Sequence, residues 1–344
     1  MPACAKIGVV VLLASTAFDM KIGAAPAVEV LRAVSSLPPH IVGLFEEPLG
    51  FQQTPGGPYY VFDRRGHTVY AVFSDKTAAV KLTEIGAELG RILQPRGFDT
   101  SPTGSFVVAD APYGVERVQI FGAGGIRVGG FIFPAQQRPA TIAFGPLVLN
   151  GVASIQYAGE NLLISHPESG ALFTEYSSQG SPLRSIGRLR DTGFDEDRDL
   201  HLALNVGLAV VDPTGGYFYV FLAGRPMFRK YDADGTLRFE RHIEGPELDD
   251  YIASMPTRWA TRRVEDRELP LVTPAIRTAA ADENGQLWIS LSEPYTYVYD
   301  AHGNKVRTVQ FSAAGPISPT SLFFTRDGRL LVTPGCYEFD PHSR

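Results

Sequence analysis

The most polar stretch of the chain carries residue types that bind divalent metals. It runs Asp195-Glu196-Asp197-Arg198-Asp199-Leu200-His201, and a second histidine, His166, stands before it. Imidazole nitrogens and carboxylate oxygens form a competent ligand set for a divalent ion, which could activate water or polarise a carbonyl group. One hypothesis is therefore a metal site formed by His166, Asp199 and His201. The alternative is a solvated loop whose acids pair with its own arginine.

Three further polar residues, Asp110, Asn150 and Asn205, are candidates for ligand binding. Asp110 follows an apolar strand-like segment, and the two asparagines stand at the entrances of others. Side chains at such junctions can reach a shared site. Asparagine is also a common turn residue, so each asparagine alone indicates little.

The segment from Pro246 to Pro274 contains a second set of candidate residues. Proline at its first position and acids in its first turn predict a short helix over 246–254. The basic stretch that follows contains Arg258, Trp259 and Arg262, which together could clamp a carboxylate, a sulfate or a sugar ring. An insertion of this length is often a lid or a binding loop. The alternative is a surface excursion whose arginines pair with the adjacent acids.

Motifs of known catalytic families are missing from the sequence. There is no G-x-S-x-G element, and the glycine run at 122–125 has no following helix to receive a phosphate. Cys336 could pair with His67 or His166, but a lone cysteine in a turn is more often structural. No catalytic residue is identified, and whether the protein is an enzyme stays open.

An internal repeat positions all of these residues. Each unit reads as strand, glycine turn, strand, loop, and a third strand that ends at an aromatic residue, before a further strand. The turns are centred on Gly56, Gly104, Gly159, Gly215, Gly285 and Gly328, and the aromatic residues are Phe73, Phe121, Tyr176, Tyr231, Tyr299 and Phe339.

The sixth unit ends without a fourth strand, and an unassigned strand, Val28–Val34, precedes the first unit. We therefore predict an all-β fold, a six-bladed β-propeller of four-stranded antiparallel blades. Its N-terminal strand completes the last blade, which removes exposed sheet edges. Residues 26–344 form the single propeller domain, and one short helix lies in the 245–276 insertion.

Two of the units resemble a known repeat. The stretches Pro95-Arg96-Gly97-Phe98-Asp99, Gly104–Asp110 and Arg117–Phe121 are similar to an NHL repeat, as is the unit from Asp282 to Phe311. This resemblance implies the propeller fold. It implies little about function, because such propellers include scaffolds, ligand-binding proteins, lactonases and lyases.

The N-terminus has the order of a secretory signal peptide. Lys6 precedes the apolar run Ile7–Leu13, and small residues follow. The run is too short to span a membrane, so residues 1–25 predict export to the periplasm or the medium. Removal of Cys4 would leave Cys336 as the one cysteine. The alternatives are a buried strand or a start at Met20, with a cytoplasmic protein.

Composition limits the partners of the protein. The 344 residues carry a formal net charge of −6, are 44% hydrophobic and 20% charged. A nucleic-acid binder needs a basic surface, so we expect no nucleic-acid partner, and no segment predicts stable membrane insertion.

The predicted function is binding of a small molecule or a protein partner by an exported, monomeric propeller. The predicted site is the mouth of the central channel on the loop-rich face, which is formed by the loops between second and third strands and by the connections between units. The alternative is a metal-dependent hydrolase or lyase, lactonase-like, with one divalent ion at that mouth. A cytoplasmic scaffold is a third class.

Overall fold

A computed structural model of the chain describes residues 28–134, 141–144, 147–264 and 266–343. For residues 141, 142, 144 and 147–150 it describes the backbone and not the side chains. The predicted signal peptide and Cys4 lie outside the described residues.

The described part of the chain starts with a strand and one helical turn, β1 (Glu29–Ser36) and α1 (Pro39–Val42), and then forms successive four-stranded antiparallel sheets. Sheet 1 consists of β2 (Pro48–Gln53), β3 (Tyr59–Asp63), β4 (Thr68–Val72) and β5 (Ala79–Lys81). A small pair, β6 (Glu84–Ile85) and β7 (Arg91–Ile92), follows it. Sheet 2 consists of β8 (Pro95–Thr100), β9 (Phe106–Asp110), β10 (Arg117–Phe121) and β11 (Arg127–Ile132). One hairpin, β12 (Thr141–Phe144) and β13 (Leu147–Asn150), precedes the next sheet.

Sheet 3 consists of β14 (Ser154–Ala158), β15 (Asn161–Ser165), β16 (Ala171–Tyr176) and β17 (Pro182–Arg188). After helix α2 (Arg198–Asn205), sheet 4 consists of β18 (Gly207–Val211), β19 (Tyr217–Phe221), β20 (Met227–Tyr231) and β21 (Leu237–His242). Helix α3 (Asp249–Ala253) and a second hairpin, β22 (Thr261–Val264) and β23 (Arg267–Val272), lead to the remaining strands. These are β24 (Ile276–Ala281), β25 (Leu287–Leu291), β26 (Thr296–Tyr299), β27 (Lys305–Ser312), β28 (Pro316–Ile317), β29 (Ser321–Phe324), β30 (Leu330–Thr333) and β31 (Tyr337–Phe339).

Strand β1 pairs with strands from the C-terminal part of the chain. It pairs antiparallel with β31, at Ala33 opposite Phe339, and so confirms the predicted pairing of the N-terminal strand with the last strand. It also pairs in parallel with β27, which was not predicted, and thereby merges the last strands into one nine-stranded sheet. The Leu31 side chain is buried in this sheet.

The first strands of the units form a closed ring. Their order of contact is β2, β8, β14, β18, β24 and β29, and β29 contacts β2 again. The second strands, outside this ring, are almost entirely buried. Aromatic rings pack between sheets, such as Phe62 of sheet 1 and Phe98 of sheet 2, with centroids 5.3 Å apart. The arrangement is an all-β propeller.

The two hairpins in the insertions build a sheet that the sequence did not predict. β12 pairs with β23 in parallel, which gives the order β13-β12-β23-β22; we call this the cap sheet. Helix α2 packs against β12 and β23. The insertions of the loop-rich face are therefore partly regular structure rather than open loops.

The insertions contain two short helices, of which one was predicted. The helix predicted over 246–254 is confirmed as a 3-10 turn, Pro246–Leu248, followed by α3. Helix α2 was not predicted, and it forms within the polar stretch, outside the 245–276 insertion. The Asp197 carboxylate caps α2 by accepting the Leu200 N–H at 3.1 Å. In the described parts of the chain, no helix is both long and apolar enough to cross a membrane.

Candidate functional site: the central channel

The ring of first strands encloses a channel with two connected cavities. The upper cavity, towards the loop-rich face, has a volume of about 210 Å³. The lower cavity has a volume of about 520 Å³ and is lined by the glycine turns at the opposite face. Both are lined by Asp99, Gln156, Leu322 and Phe323, so they meet at this level of the channel.

The channel wall at this level is polar on one side and apolar on the other. Six residues occupy equivalent positions, opposite the second residue of the second strand in five units and opposite the third residue, Leu163, in sheet 3. They are Gln52, Asp99, Gln156, Val210, Ala280 and Phe323. The three polar residues come from sheets 1, 2 and 3, which are neighbours. The three apolar residues come from sheet 4, β24 and β29. A molecule in the channel therefore meets hydrogen-bonding groups on one side and hydrocarbon on the other.

Hydrogen bonds to the neighbouring sheet fix the polar side chains. Gln52 Oε1 accepts hydrogen bonds from the N–H and hydroxyl of Thr100, both at 2.8 Å. In the same way Asp99 Oδ2 accepts the Tyr157 N–H at 2.7 Å, and Gln156 Oε1 accepts the Val211 N–H at 2.7 Å. Because each bond crosses from one sheet to the next, these groups are held rigidly at the channel wall.

Asp99 is the titratable group at the junction of the two cavities. Asp99 is a buried residue, with only 6% of its surface exposed. Burial raises the pKa of Asp99 to about 7, although hydrogen bonds from Tyr157 N–H and the Gln52 side chain oppose the shift. Burial and the charge of Asp99 also raise the pKa of Tyr157, whose hydroxyl is buried without a partner in the described part of the chain. Near neutral pH, Asp99 can both donate and accept a hydrogen bond.

Replacement of this carboxyl should change how stability depends on pH. The folded-state pKa of about 7 lies above the unfolded value of about 4, so wild type loses stability as the pH rises from 4 to 7. Asp99→Asn keeps the acceptor for Tyr157 and does not ionise. Urea unfolding should therefore give similar stabilities at pH 4 and an advantage for Asp99→Asn of up to about 4 kcal/mol at pH 8. Parallel stability curves for the two proteins would contradict the environment assigned to Asp99.

The two ends of the channel differ in charge. Arg96 and Arg277 line the upper cavity, and the Arg277 Nε donates to the Ser292 carbonyl at 3.1 Å. Glu283 and Arg326 stand among the turns around the lower cavity. The larger cavity thus lies at the glycine turns, whereas the predicted ligand site lies at the loop-rich face.

The three residues considered for a metal have separate partners. His166 Nε2 lies 3.3 Å from Glu116 Oε2, and its ring packs on Phe133 at 5.3 Å. His201 Nδ1 lies 2.9 Å from Asp195 Oδ1, and Asp199 pairs with Arg267 at 2.7 Å. Within residues 28–134, 141–144, 147–264 and 266–343, no three His, Cys, Asp or Glu side chains are grouped so that they could hold a metal ion.

The predicted ligand-binding residues Asp110 and Asn205 make structural contacts. Asp110 is buried and accepts two hydrogen bonds from Arg117, at 2.7 and 2.8 Å, and one from the Leu93 N–H. Asn205 ends α2 and bonds to both the N–H and the carbonyl of Arg190. Asn150 is the last residue of β13, and its side chain lies outside what the structure describes.

The insertion that follows α3 forms part of a lateral pocket of about 480 Å³. Trp259 lines this pocket, whereas the exposed Arg258 and the β22 residue Arg262 do not. We call it the insertion pocket; its wall includes Arg190, Leu204, Arg225, Met227, Met255 and Trp259. Of the three residues expected to act together, Trp259 alone lines this pocket.

The thiol of Cys336 is buried in the core between α1 and sheet 1. Burial raises the pKa of Cys336 to about 12, so the thiol is protonated at neutral pH. This environment is that of a structural cysteine, as the sequence indicated.

Asp99 is part of the repeat resemblance but was not predicted to be a site residue, and neither Gln52 nor Gln156 was predicted to be one. A signal was present: each places a polar side chain in an inner strand, three to five residues before the turn glycine. Polar residues are also common in strands that are exposed to solvent. The sequence pattern alone therefore does not distinguish a channel site from an exposed strand.

Comparison with known proteins shows the fold. Neither family models nor curated protein sequences match the chain. Among solved structures, one described as streptogramin B lyase has a TM-score of 0.53 at 9% identity and covers 89% of this chain and 95% of its own. Virginiamycin B lyase from Staphylococcus aureus has a TM-score of 0.52 at 8% identity, with coverages of 83% and 77%. The WD40 β-propeller domain of Doa1 has a TM-score of 0.50 at 10% identity, with coverages of 91% and 97%.

These likenesses show a β-propeller. At such identities they carry no activity over to this chain.

Proposed function

We propose that this protein is a six-bladed, NHL-like propeller that binds a small amphipathic molecule in its central channel. The closed contact order of six first strands supports the blade count, with β1 as the outer strand of the last blade. One observation supports this function most directly. At one level of the channel, Asp99 lies between Gln52 and Gln156 and faces the apolar side of the wall.

The chemistry of this level defines the ligand class. Gln52 and Asp99 present fixed polar groups, while Phe323 and Leu322 present hydrocarbon. A lower cavity of about 520 Å³ lies within the size range of small-molecule sites. The best match is a molecule with an apolar body and an amine, amide or hydroxyl group that donates to the Asp99 carboxyl.

A thermal-shift screen of amphipathic small molecules tests this function. For the compounds that raise Tm, calorimetry should give a Kd at least about tenfold higher for Asp99→Asn than for wild type at pH 7.5, because the amide replaces an acceptor oxygen by a donor. The matched control is Asp75→Asn, which alters an exposed acid in a turn of sheet 1. Compounds that bind Asp99→Asn as tightly as wild type would overturn the site.

Export is part of the proposal and rests on the order of residues 1–25. Sequencing of the mature N-terminus after expression tests it: a chain that begins after the small residues supports export, and one that retains Met1 favours the cytoplasmic alternative. The hydrolase or lyase alternative would need a metal site, and the separate partners of His166, Asp199 and His201 do not favour it.

A further inference from the structure

We infer that the insertion pocket is a second binding site, for a small organic carboxylate with an apolar or aromatic body. It lies beside sheet 4 at the loop-rich face, apart from the channel. Its residues come from the connection after sheet 3, the loop between β19 and β20, and the segment after α3.

The apolar part of the wall comes from three parts of the chain. Phe194 and Leu204 contribute from the α2 region, Met227 from the start of β20, and Met255 and Trp259 from the insertion. Methionine side chains adapt to ligand shape, and an indole ring offers a large contact surface. The Trp259 Nε1–H is buried without an acceptor in the described part of the chain, so its NMR signal reports on the surroundings of this wall.

The wall contains arginine side chains that form no ion pair with a carboxylate of the described residues. The half-buried Arg190 donates hydrogen bonds to the carbonyl oxygens of Leu204, Ala223 and Arg225, at 2.5–2.9 Å. Burial lowers the pKa of Arg190 to about 10, so it stays charged at neutral pH. No carboxylate forms an ion pair with it among the residues that the structure describes.

Arg225 is the group that a ligand can engage directly. It is exposed in the loop between β19 and β20, and its side chain makes no hydrogen bond, ion pair or ring contact within the described ranges. The remaining wall charges are largely satisfied, since Arg229 pairs with Glu240 at 2.6 Å and the Asp191 carboxylate accepts the Gly193 N–H at 2.9 Å. A free guanidinium over an apolar wall matches one carboxylate on a hydrocarbon body.

The test uses 3-phenylpropionate and its neutral analogue 3-phenylpropanamide as probes. The protein contains two tryptophans, and Trp288 is fully buried in the core, so the two indole N–H signals in NMR spectra report on different places. Titration with the carboxylate should shift the Trp259 signal, assigned with Trp259→Phe, and leave the Trp288 signal in place. The amide should bind at least about tenfold more weakly.

Two arginine variants separate the site from general charge effects. Arg225→Ala should weaken binding of the carboxylate at least about tenfold, whereas Arg65→Ala should not change it. Arg65 is an exposed arginine in the corresponding loop, between β3 and β4, of sheet 1. Equal affinity for acid and amide, equal effects of the two variants, or no saturable shift at millimolar probe would overturn the inference. Asp99→Asn should leave binding of the carboxylate unchanged. A failure of the insertion-pocket inference is therefore distinguishable from a failure of the proposed channel site.

Discussion

A chain that begins at residue 37 should fail to form the stable ring, whereas one that begins at residue 26 should fold. Strand β1 carries backbone pairing to both β31 and β27, and its Leu31 side chain is 1% exposed. Arg307 also holds Glu29 through two hydrogen bonds of 2.9 Å. Loss of β1 exposes two sheet edges and the core behind Leu31. Circular dichroism and size-exclusion chromatography should show an unfolded or aggregated chain.

Point variants make this expectation quantitative. Leu31→Ala should lower the free energy of unfolding by about 2–5 kcal/mol, because it leaves a cavity among packed side chains. Val34 lies on the same strand and is 60% exposed, so Val34→Ala serves as the control and should have little effect. If the chain from residue 37 melts like the longer one, the assignment of β1 to the ring is wrong.

Glu338→Ala should destabilise the protein by about 2–3 kcal/mol, since it removes a buried carboxylate that accepts charge-assisted hydrogen bonds and a bond from the buried Tyr59 hydroxyl. Glu338 is fully buried and contacts Lys76 at 2.5 Å, Arg329 at 2.9 Å and the Tyr59 hydroxyl at 3.0 Å. Tyr59 and Lys76 belong to sheet 1, so this cluster fastens the last strands to the first sheet. Denaturant unfolding measures the loss.

The neighbouring acid provides the control for Glu338. Asp327 pairs with the same arginine at 3.3 Å, but its side chain is 59% exposed, so Asp327→Ala should cost no more than about 1 kcal/mol. Burial tends to raise the pKa of Glu338, yet hydrogen bonds from Lys76 and Arg329 lower it overall. Its stabilisation should therefore be present at neutral pH and disappear as the pH falls below the normal glutamate range. Equal losses for the two variants would contradict a buried role for Glu338.

The repeat made much of the fold predictable. Glycine turns and the aromatic ends of third strands mark local structure, because positive φ and packing between sheets restrict the residues at these positions. The place of Val28–Val34 followed from the missing fourth strand. The cap sheet was not predictable in the same way: β12 and β23 are far apart in sequence, and their parallel pairing has no local signal.

Polar residues were harder to interpret than the repeat. Asp110 and Asn205 resemble site residues in sequence, but their bonds to Arg117 and Arg190 show that they hold loops in place. The acids around α2 include a helix cap, Asp197. Asp99 was not predicted as a site residue, because it lies at the same level as Gln52 and Gln156 only once the first strands form the closed ring. Burial and register, which define the channel site, depend on contacts between units.

The central claim is that a small molecule binds at the Asp99 level of the channel. The most direct measurement is a crystal structure of the protein with the tightest compound from the thermal-shift screen. The account predicts ligand density between the polar side, at Gln52, Asp99 and Gln156, and Phe323, with a donor group within hydrogen-bond distance of the Asp99 carboxyl. Ligand density confined to the loop-rich face, with the channel at Asp99 free of it, would contradict the account.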